Sequence, residues 1–184
     1  FKRYSLRRHL ADSPFFLVHP FLVFVSMPYT PLFASARQTI RSEIRQRRNT
    51  LTAEQQTHFA LQAAERVATH PKIQSASSVS LFLSFDGELD TAPLLARLWN
   101  EGKQLCLPVL HPFSPGNLLF LRYTPDTTLV RNRLNILEPQ LDVTQVIPLA
   151  QLDIILTPLV AFDSAGQRLG MGGGFYDRTL ERWK

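Results

Sequence analysis

An α/β fold with neighbouring parallel strands is what this sequence predicts, and three observations carry the prediction. Ser77–Phe85 reads as a strand, Thr91 opens a helix carrying Leu94, Leu95, Leu98 and Trp99, and Gln104–Leu110 reads as a second strand. A strand, a helix of about three turns and another strand form a βαβ unit, whose strands lie parallel with a right-handed crossover. Leu152–Thr157 is a further apolar run, of the kind covered on both faces of a sheet. The third observation is composition: 184 residues, 45% hydrophobic and 19% charged, is the budget of one globular domain with a single core.

The chain begins with basic residues, Lys2, Arg3, Arg7 and Arg8, followed by the apolar stretch Pro14–Val25. That is the outline of a signal sequence. His19 and Pro20 interrupt it, and it is too short for a membrane-spanning helix. Residues 1–36 are therefore read as an N-terminal extension outside the fold, with targeting as the alternative, and residues 37–184 as one domain. Ala36–Arg48 is a basic helix, with Arg37, Arg41, Arg45 and Arg48 at spacings of three and four and Ile40 and Ile44 on another face. Thr52 and Gln55 have capping-box spacing, and Phe59, Ala63 and Val67 recur every four residues until His70-Pro71 closes this second helix.

Two helices thus precede the first strand. In the βαβ unit, Thr91 is the expected helix cap and Gly102 the expected stop. A turn at Ser114–Asn117 leads into a third strand, Leu118–Tyr123. Val130–Pro148 is interrupted by proline and poorly periodic, a cleft wall or a plain connection. After Leu152–Thr157 come Leu159–Asp163, a turn at Ser164–Gly166 and the stretch RLGMGGGFYDR, Arg168–Arg178. Phe175, Tyr176, Thr179, Leu180 and Trp183 follow at helical spacing.

A glycine-rich approach to a helix start leaves unpaired N–H groups accessible to phosphate oxygens. Yet a P-loop requires Lys and Ser or Thr after its last glycine, and here Phe175 and Tyr176 stand instead. A dinucleotide fingerprint belongs in the first βα turn, whereas this loop follows the last recognisable strand. Spacing alone leaves an anion site and a structural turn equally open. A net charge of +5 and a pI near 9.8 suit anionic partners, nucleotides and folates as well as nucleic acids. The single cysteine, Cys106, sits in an apolar run and is read as a buried thiol, which suits a reducing cytoplasm.

Five separate segments, in order and spacing, carry a resemblance. They are Arg37–Arg48, Leu83–Thr91 (LSFDGELDT), Leu107–Leu110 (LPVL), Pro158–Asp163 (PLVAFD) and Arg168–Asp177. From Ala36 onwards the sequence resembles the 5-formyltetrahydrofolate cyclo-ligase family, also called 5,10-methenyltetrahydrofolate synthetase, in its bacterial form; the last segment is the most specific. The resemblance implies an open, mostly parallel α/β sheet flanked by helices, Rossmann-like and three-layered. It implies ATP- and Mg²⁺-dependent conversion of 5-formyltetrahydrofolate to 5,10-methenyltetrahydrofolate in the cytoplasm, by a monomer that binds neither nucleic acid nor membrane. Family members continue for tens of residues past the helix begun by Phe175, with a second acidic metal ligand, so the C-terminal part is expected to be truncated.

Residue by residue, the resemblance implies that Arg37 and Arg41, one helical turn apart, contact ATP phosphates, with a solvated basic face as the alternative. Arg45, Arg47 and Arg48 are read as surface charge. Arg168 and the backbone of Leu169, Gly170, Met171, Gly172, Gly173, Gly174, Phe175 and Tyr176 match the ATP-binding stretch. Met171–Phe175, together with Leu83 and Glu88, match positions touching the folate. A carboxylate at Glu88 suits the donor edge of a pterin; the alternative is a surface-loop acid. Asp177 matches a Mg²⁺ ligand, a hard oxygen donor near the phosphates. Two other classes remain as rivals: a sugar-phosphate isomerase or CoA-transferase-like enzyme on a related sheet, and a nucleic-acid-binding module built on the arginine helix.

Overall fold

The computed structural model describes residues 33–181 and Trp183. Its helices, in chain order, are α1 (Phe33–Asn49), α2 (Ala53–Ala68), α3 (Pro71–Ser75), α4 (Ala92–Asn100) and α5 (Phe175–Thr179). Its strands are β1 (Ser78–Ser80), β2 (Gln104–Leu110), β3 (Leu118–Arg122), β4 (Leu129–Arg131), β5 (Leu137–Pro139), β6 (Ile154–Ile155), β7 (Ala161–Phe162) and β8 (Arg168–Leu169). These elements divide between two units: residues 51–157 with those from Phe175 onwards, and residues 33–50 with 158–174. Of the extension expected at residues 1–36, only the last four fall within the described residues, and they belong to α1.

The larger unit is built on a four-stranded sheet in the order β3-β2-β1-β6. Its β1 pairs parallel with both β2 and β6, placing Val79 beside Leu105 and Ile154. The neighbouring parallel strands are those the βαβ pattern predicts, and the sheet is the open, mostly parallel one that the resemblance implies. The edge strand β3 runs antiparallel to β2, with Pro108 opposite Phe120, because the turn at Ser114–Asn117 is too short for a parallel crossover.

Two strands are shorter than their apolar runs. The β1 ladder stops at Ser80, although the Leu81 N–H still reaches the Cys106 carbonyl at 3.0 Å. Beyond it Asp86 (φ 53°) and Gly87 (φ 72°) reverse the chain, two consecutive left-handed residues as an Asp-Gly turn favours. The strand β6 keeps only Ile154–Ile155, half-buried rather than more deeply covered as expected. Its start is fixed by Asp153, whose Oδ2 accepts from the Ser77 and Ser78 N–H groups at 2.9 Å each. The aperiodic stretch after Val130 contains the hairpin β4–β5 and two 3-10 turns, Val143–Gln145 and Leu149–Gln151.

Helix ends follow local chemistry. The capping box forms: the Thr52 hydroxyl accepts from the Gln55 N–H at 3.2 Å, and the Thr52 N–H donates to Gln55 Oε1 at 3.0 Å. Past α2 the chain does not simply stop at His70-Pro71. His70 Nδ1 accepts from the Lys72 N–H and Pro71 opens the short α3, where a missing N–H costs nothing. Thr91 makes no side-chain cap on α4; its hydroxyl donates to the Phe82 carbonyl at 2.7 Å, and Asp90 Oδ1 accepts the Ala92 N–H instead. Gly102 (φ 75°) ends α4 as expected, with its N–H on Trp99 O and the Lys103 N–H on Leu98 O. That pair of bonds is a Schellman motif, which needs a left-handed residue at this position.

One face of the sheet is covered by α2, α3 and α4, with Val79, Leu81, Leu105 and Leu107 packed against Ile73, Leu94, Leu95 and Leu98. The seam of α2 is Ala60, Ala64 and Ala68, one residue on from the Phe59, Ala63, Val67 series. Alanines let α2 and α4 approach closely, and Arg97 of α4 pairs with Glu65 of α2 and with Glu101. On the other face Cys106 and Phe120 pack with Ile147, Leu152 and Tyr176. Burial pushes the Cys106 thiol up from 9.0 to about 11.

In the smaller unit α1 packs on the hairpin β7–β8. Ile44, Val160 and Ala161 form a buried cluster with Ile40 and Leu169 against it. The hairpin is a feature absent from the sequence reading, which has a loop at Arg168–Leu169; here Phe162 pairs with Arg168 and Ala161 with Leu169. Its turn is the expected Ser164–Gly166, organised by Asp163, whose Oδ1 accepts from Ala165 and Gln167 N–H groups at 2.9 and 2.8 Å.

Candidate functional site

The basic helix and the glycine stretch meet within the smaller unit. Arg41, half-buried, donates from Nε to the Gly170 carbonyl at 2.9 Å. Its guanidinium also lies against Gly172: a Cβ there would stand 3.5 Å from Arg41 Cζ and 3.6 Å from Nη2. Gly172 holds φ 103°, a conformation that favours glycine. Arg168 leaves β8 with Nη1 on the Pro158 carbonyl at 3.1 Å and beside Gly170. The loop Gly170–Gly174 therefore runs past two guanidinium groups, with Met171, Gly172 and Gly173 exposed. Backbone N–H groups beside arginines are a suitable setting for phosphate oxygens.

Arg37 is exposed one turn before Arg41, and Arg45 and Arg47 are exposed too. Arg48 is not surface charge. It is half-buried and its Nη2 donates to the carbonyls of Leu159 at 2.6 Å and Val160 at 3.2 Å. One signal could have shown its place: Arg48 stands four residues after Ile44, so it borders the apolar face of the helix as well as belonging to the basic series.

In the larger unit, Leu83 and Glu88 occupy the loop between β1 and α4, beyond the C-terminal end of a parallel strand, where ligands of open α/β sheets bind. Leu83 packs on the core as a half-buried residue. Glu88 is buried at 7% exposure rather than being a surface acid. Its N–H donates to the Phe85 carbonyl at 3.0 Å, and its Oε2 accepts the Phe85 N–H at 3.4 Å. The loop is tied down by Thr91 and by Ser84, whose hydroxyl donates to Asp90 at 3.4 Å.

Also in this unit, α5 has a single turn and ends at Thr179, so its dipole is small and an anion at its start gains little from it. Tyr176 packs its ring on the Cys106 and Phe120 cluster, and its carbonyl accepts the Leu180 N–H at 2.8 Å. Asp177 is exposed in the helix's first turn. The helix is fastened to the β2–β3 turn: Arg178 Nε donates to the Gly116 carbonyl at 2.9 Å and Thr179 Oγ1 accepts the Leu118 N–H at 2.8 Å. Gly116 has φ 86°, and a Cβ there would lie 2.6 Å from Arg178 Nε. Arg178 also lies 5.6 Å from the Phe175 ring centre. The sequence carries no signal for these fastenings beyond the glycine in its turn.

Among the described residues no group of three His, Cys, Asp or Glu side chains is placed to hold a metal ion, and no helix is long and apolar enough to cross a membrane. A single carboxylate such as Asp177 nonetheless fits Mg²⁺ when the ion arrives with a nucleotide, because Mg²⁺ keeps several waters and takes its other ligands from phosphates.

The model of the 5-formyltetrahydrofolate cyclo-ligase family matches residues 34–184. The 5-formyltetrahydrofolate cyclo-ligase of Escherichia coli (strain K12) is 63% identical over 141 residues, covering 77% of this chain and 78% of that protein. That of Haemophilus influenzae is 51% identical over 148 residues, covering 80% and 79%. The NMR structure of Aquifex aeolicus 5,10-methenyltetrahydrofolate synthetase superposes with a TM-score of 0.68 at 28% identity, covering 80% of this chain and 73% of that one.

Proposed function

The chain belongs to the 5-formyltetrahydrofolate cyclo-ligase family, and from that premise we propose that it converts 5-formyltetrahydrofolate to 5,10-methenyltetrahydrofolate, consuming ATP and releasing ADP and phosphate. An N-formyl oxygen is a poor leaving group, and its carbon is deactivated by the amide-like nitrogen. Transfer of the γ-phosphoryl group to that oxygen corrects both defects. The folate N10 then attacks the activated carbon and closes the ring, and N10 gives up its proton as phosphate leaves to yield the methenyl product.

On this reading the protein positions reactants and stabilises charge, as in phosphoryl transfer generally. Arg37, Arg41 and Arg168 face the polyphosphate, and the backbone from Leu169 to Tyr176 cradles it. Leu83 and Glu88 take the folate, with Met171–Phe175 adjoining it. Asp177 holds Mg²⁺, which neutralises phosphate charge when bound. The reading extends to a monomer in the cytoplasm, a compartment that suits the buried thiol of Cys106.

The observation that supports the phosphate assignment best is the seat of Arg41 on the glycine loop, 2.9 Å from the Gly170 carbonyl. The test is an assay of 5-formyltetrahydrofolate with ATP and Mg²⁺, following methenylfolate absorbance. ATP-dependent product is expected. Arg41→Met should raise the ATP KM at least about tenfold, since a charged hydrogen bond contributes about 1.5–3 kcal/mol. Absence of product from the unaltered chain would sink the proposal.

A further inference from the structure

We propose that Arg48 is a positioning residue for nucleotide binding, setting the glycine loop against α1 without touching the ligand. The inference rests on the ATP assignment above for its kinetic part alone. Three successive carbonyls lie on the approach to β7, and guanidinium groups hold all three: Arg168 takes Pro158, and Arg48 takes Leu159 and Val160. The Val160 N–H, in turn, bonds the Leu169 carbonyl at 2.7 Å, immediately before Gly170. A displacement of Leu159–Val160 is thereby passed across the hairpin to the start of the glycine loop.

Arg41 and Arg48 are two helical turns apart, about 10 Å along α1. Arg41 grips the hairpin at Gly170 and Arg48 grips it at Leu159 and Val160, with Ile44 buried between them. A single contact would leave a pivot. Two contacts separated by this distance, with an apolar seat between, resist both sliding and rotation of the hairpin on the helix. A planar guanidinium suits the task because it presents its donors in a fixed fork, whereas an ammonium is a point charge on a flexible stem.

The role separates from simple stabilisation by where the damage appears. Arg48→Met keeps an apolar stem of similar length and removes the donors. In that variant the amides of residues 168–174 should exchange with deuterium at least about tenfold faster while β2 and α4 keep their protection. The ATP KM should rise about tenfold, with the 5-formyltetrahydrofolate KM changed less than about twofold. Arg48→Lys should recover part of both effects, and Arg47→Ala, at an exposed neighbour, neither. Uniformly faster exchange, or a lower Tm with unchanged exchange at residues 168–174, would overturn the proposal. If Arg48→Met does not fold, the exchange and kinetic contrast between Arg48→Lys and Arg47→Ala decides it. A chain without cyclo-ligase activity would refute the ATP reading, while the exchange pattern would still decide whether Arg48 sets the loop.

Discussion

Gly116→Ala should destabilise the larger unit by about 2–4 kcal/mol, about half of it through Arg178. Two effects contribute. An L-residue held at φ 86° carries strain of about 1–2 kcal/mol. The new methyl would also stand 2.6–2.8 Å from Arg178 Nε, Nη2 and Cζ, so the guanidinium must move. It then loses its bond to the Gly116 carbonyl and its place by the Phe175 ring, about 0.5–1.5 kcal/mol and about 0.5–1 kcal/mol respectively at exposed positions. Urea unfolding of Gly116→Ala, Arg178→Ala and the double variant forms the cycle. With Arg178 already removed only the strain remains, so the glycine substitution should cost about 1–2 kcal/mol less than in the unaltered chain. The corresponding fall in Tm for Gly116→Ala alone is about 4–16 °C. Equal costs in both backgrounds would show that Arg178 is not seated on this turn and would refute the reasoning.

Gly172→Ala, at φ 103°, should weaken ATP binding and lower Tm by about 2–6 °C; Gly170→Ala should be milder, because its methyl meets only the movable Nη1 of Arg168 at 3.1 Å. Thermal unfolding and ATP KM measured on both variants check the order. Asp177→Asn, at an exposed position, should leave Tm within about 2 °C while raising the Mg²⁺ concentration needed for half-maximal rate several-fold. Burial raises the Cys106 thiol to about 11, so the folded chain keeps its proton where the unfolded chain loses it. Its contribution to stability is full below pH 9 and is lost as pH rises from 9 to 11. Urea midpoints of Cys106→Ala should accordingly fall less steeply than those of the unaltered chain across that range.

What could be read from the sequence was chiefly local. The Thr52–Gln55 capping box, the Gly102 stop and the β2 span Gln104–Leu110 are each settled by residues within a few positions of one another. The antiparallel edge at β3 was implicit in a short turn but not in the strand's own pattern. Thr91 misled because two hydroxyl partners compete: the helix N–H nearby and the Phe82 carbonyl nine residues away, which wins. The hairpin β7–β8 is two pairs long, too short for alternation to register. At the candidate site, the glycine stretch stood out by composition, whereas spacing put Arg41 in one series with Arg37, Arg45 and Arg48, and only the resemblance singled out Arg37 and Arg41. Arg48 did not stand out, because its meaning lies in carbonyls 111 and 112 residues further along the chain.

That separation bears on how the chain assembles. The apolar face of α1, Ile40 and Ile44, is made early in synthesis, but the hairpin that covers it comes after residues 51–157. At translation rates of about 5–20 residues per second, the helix waits on the order of ten seconds for its cover. Closing so long an interval is a late, non-local event with little local structure to hasten it. The sheet of residues 51–157 should thus acquire protection first, and the glycine loop should gain its geometry only when α1 is finally engaged. Ligand-binding competence would then be the last property the chain acquires, and its gain would report completed folding more faithfully than the appearance of helix or sheet.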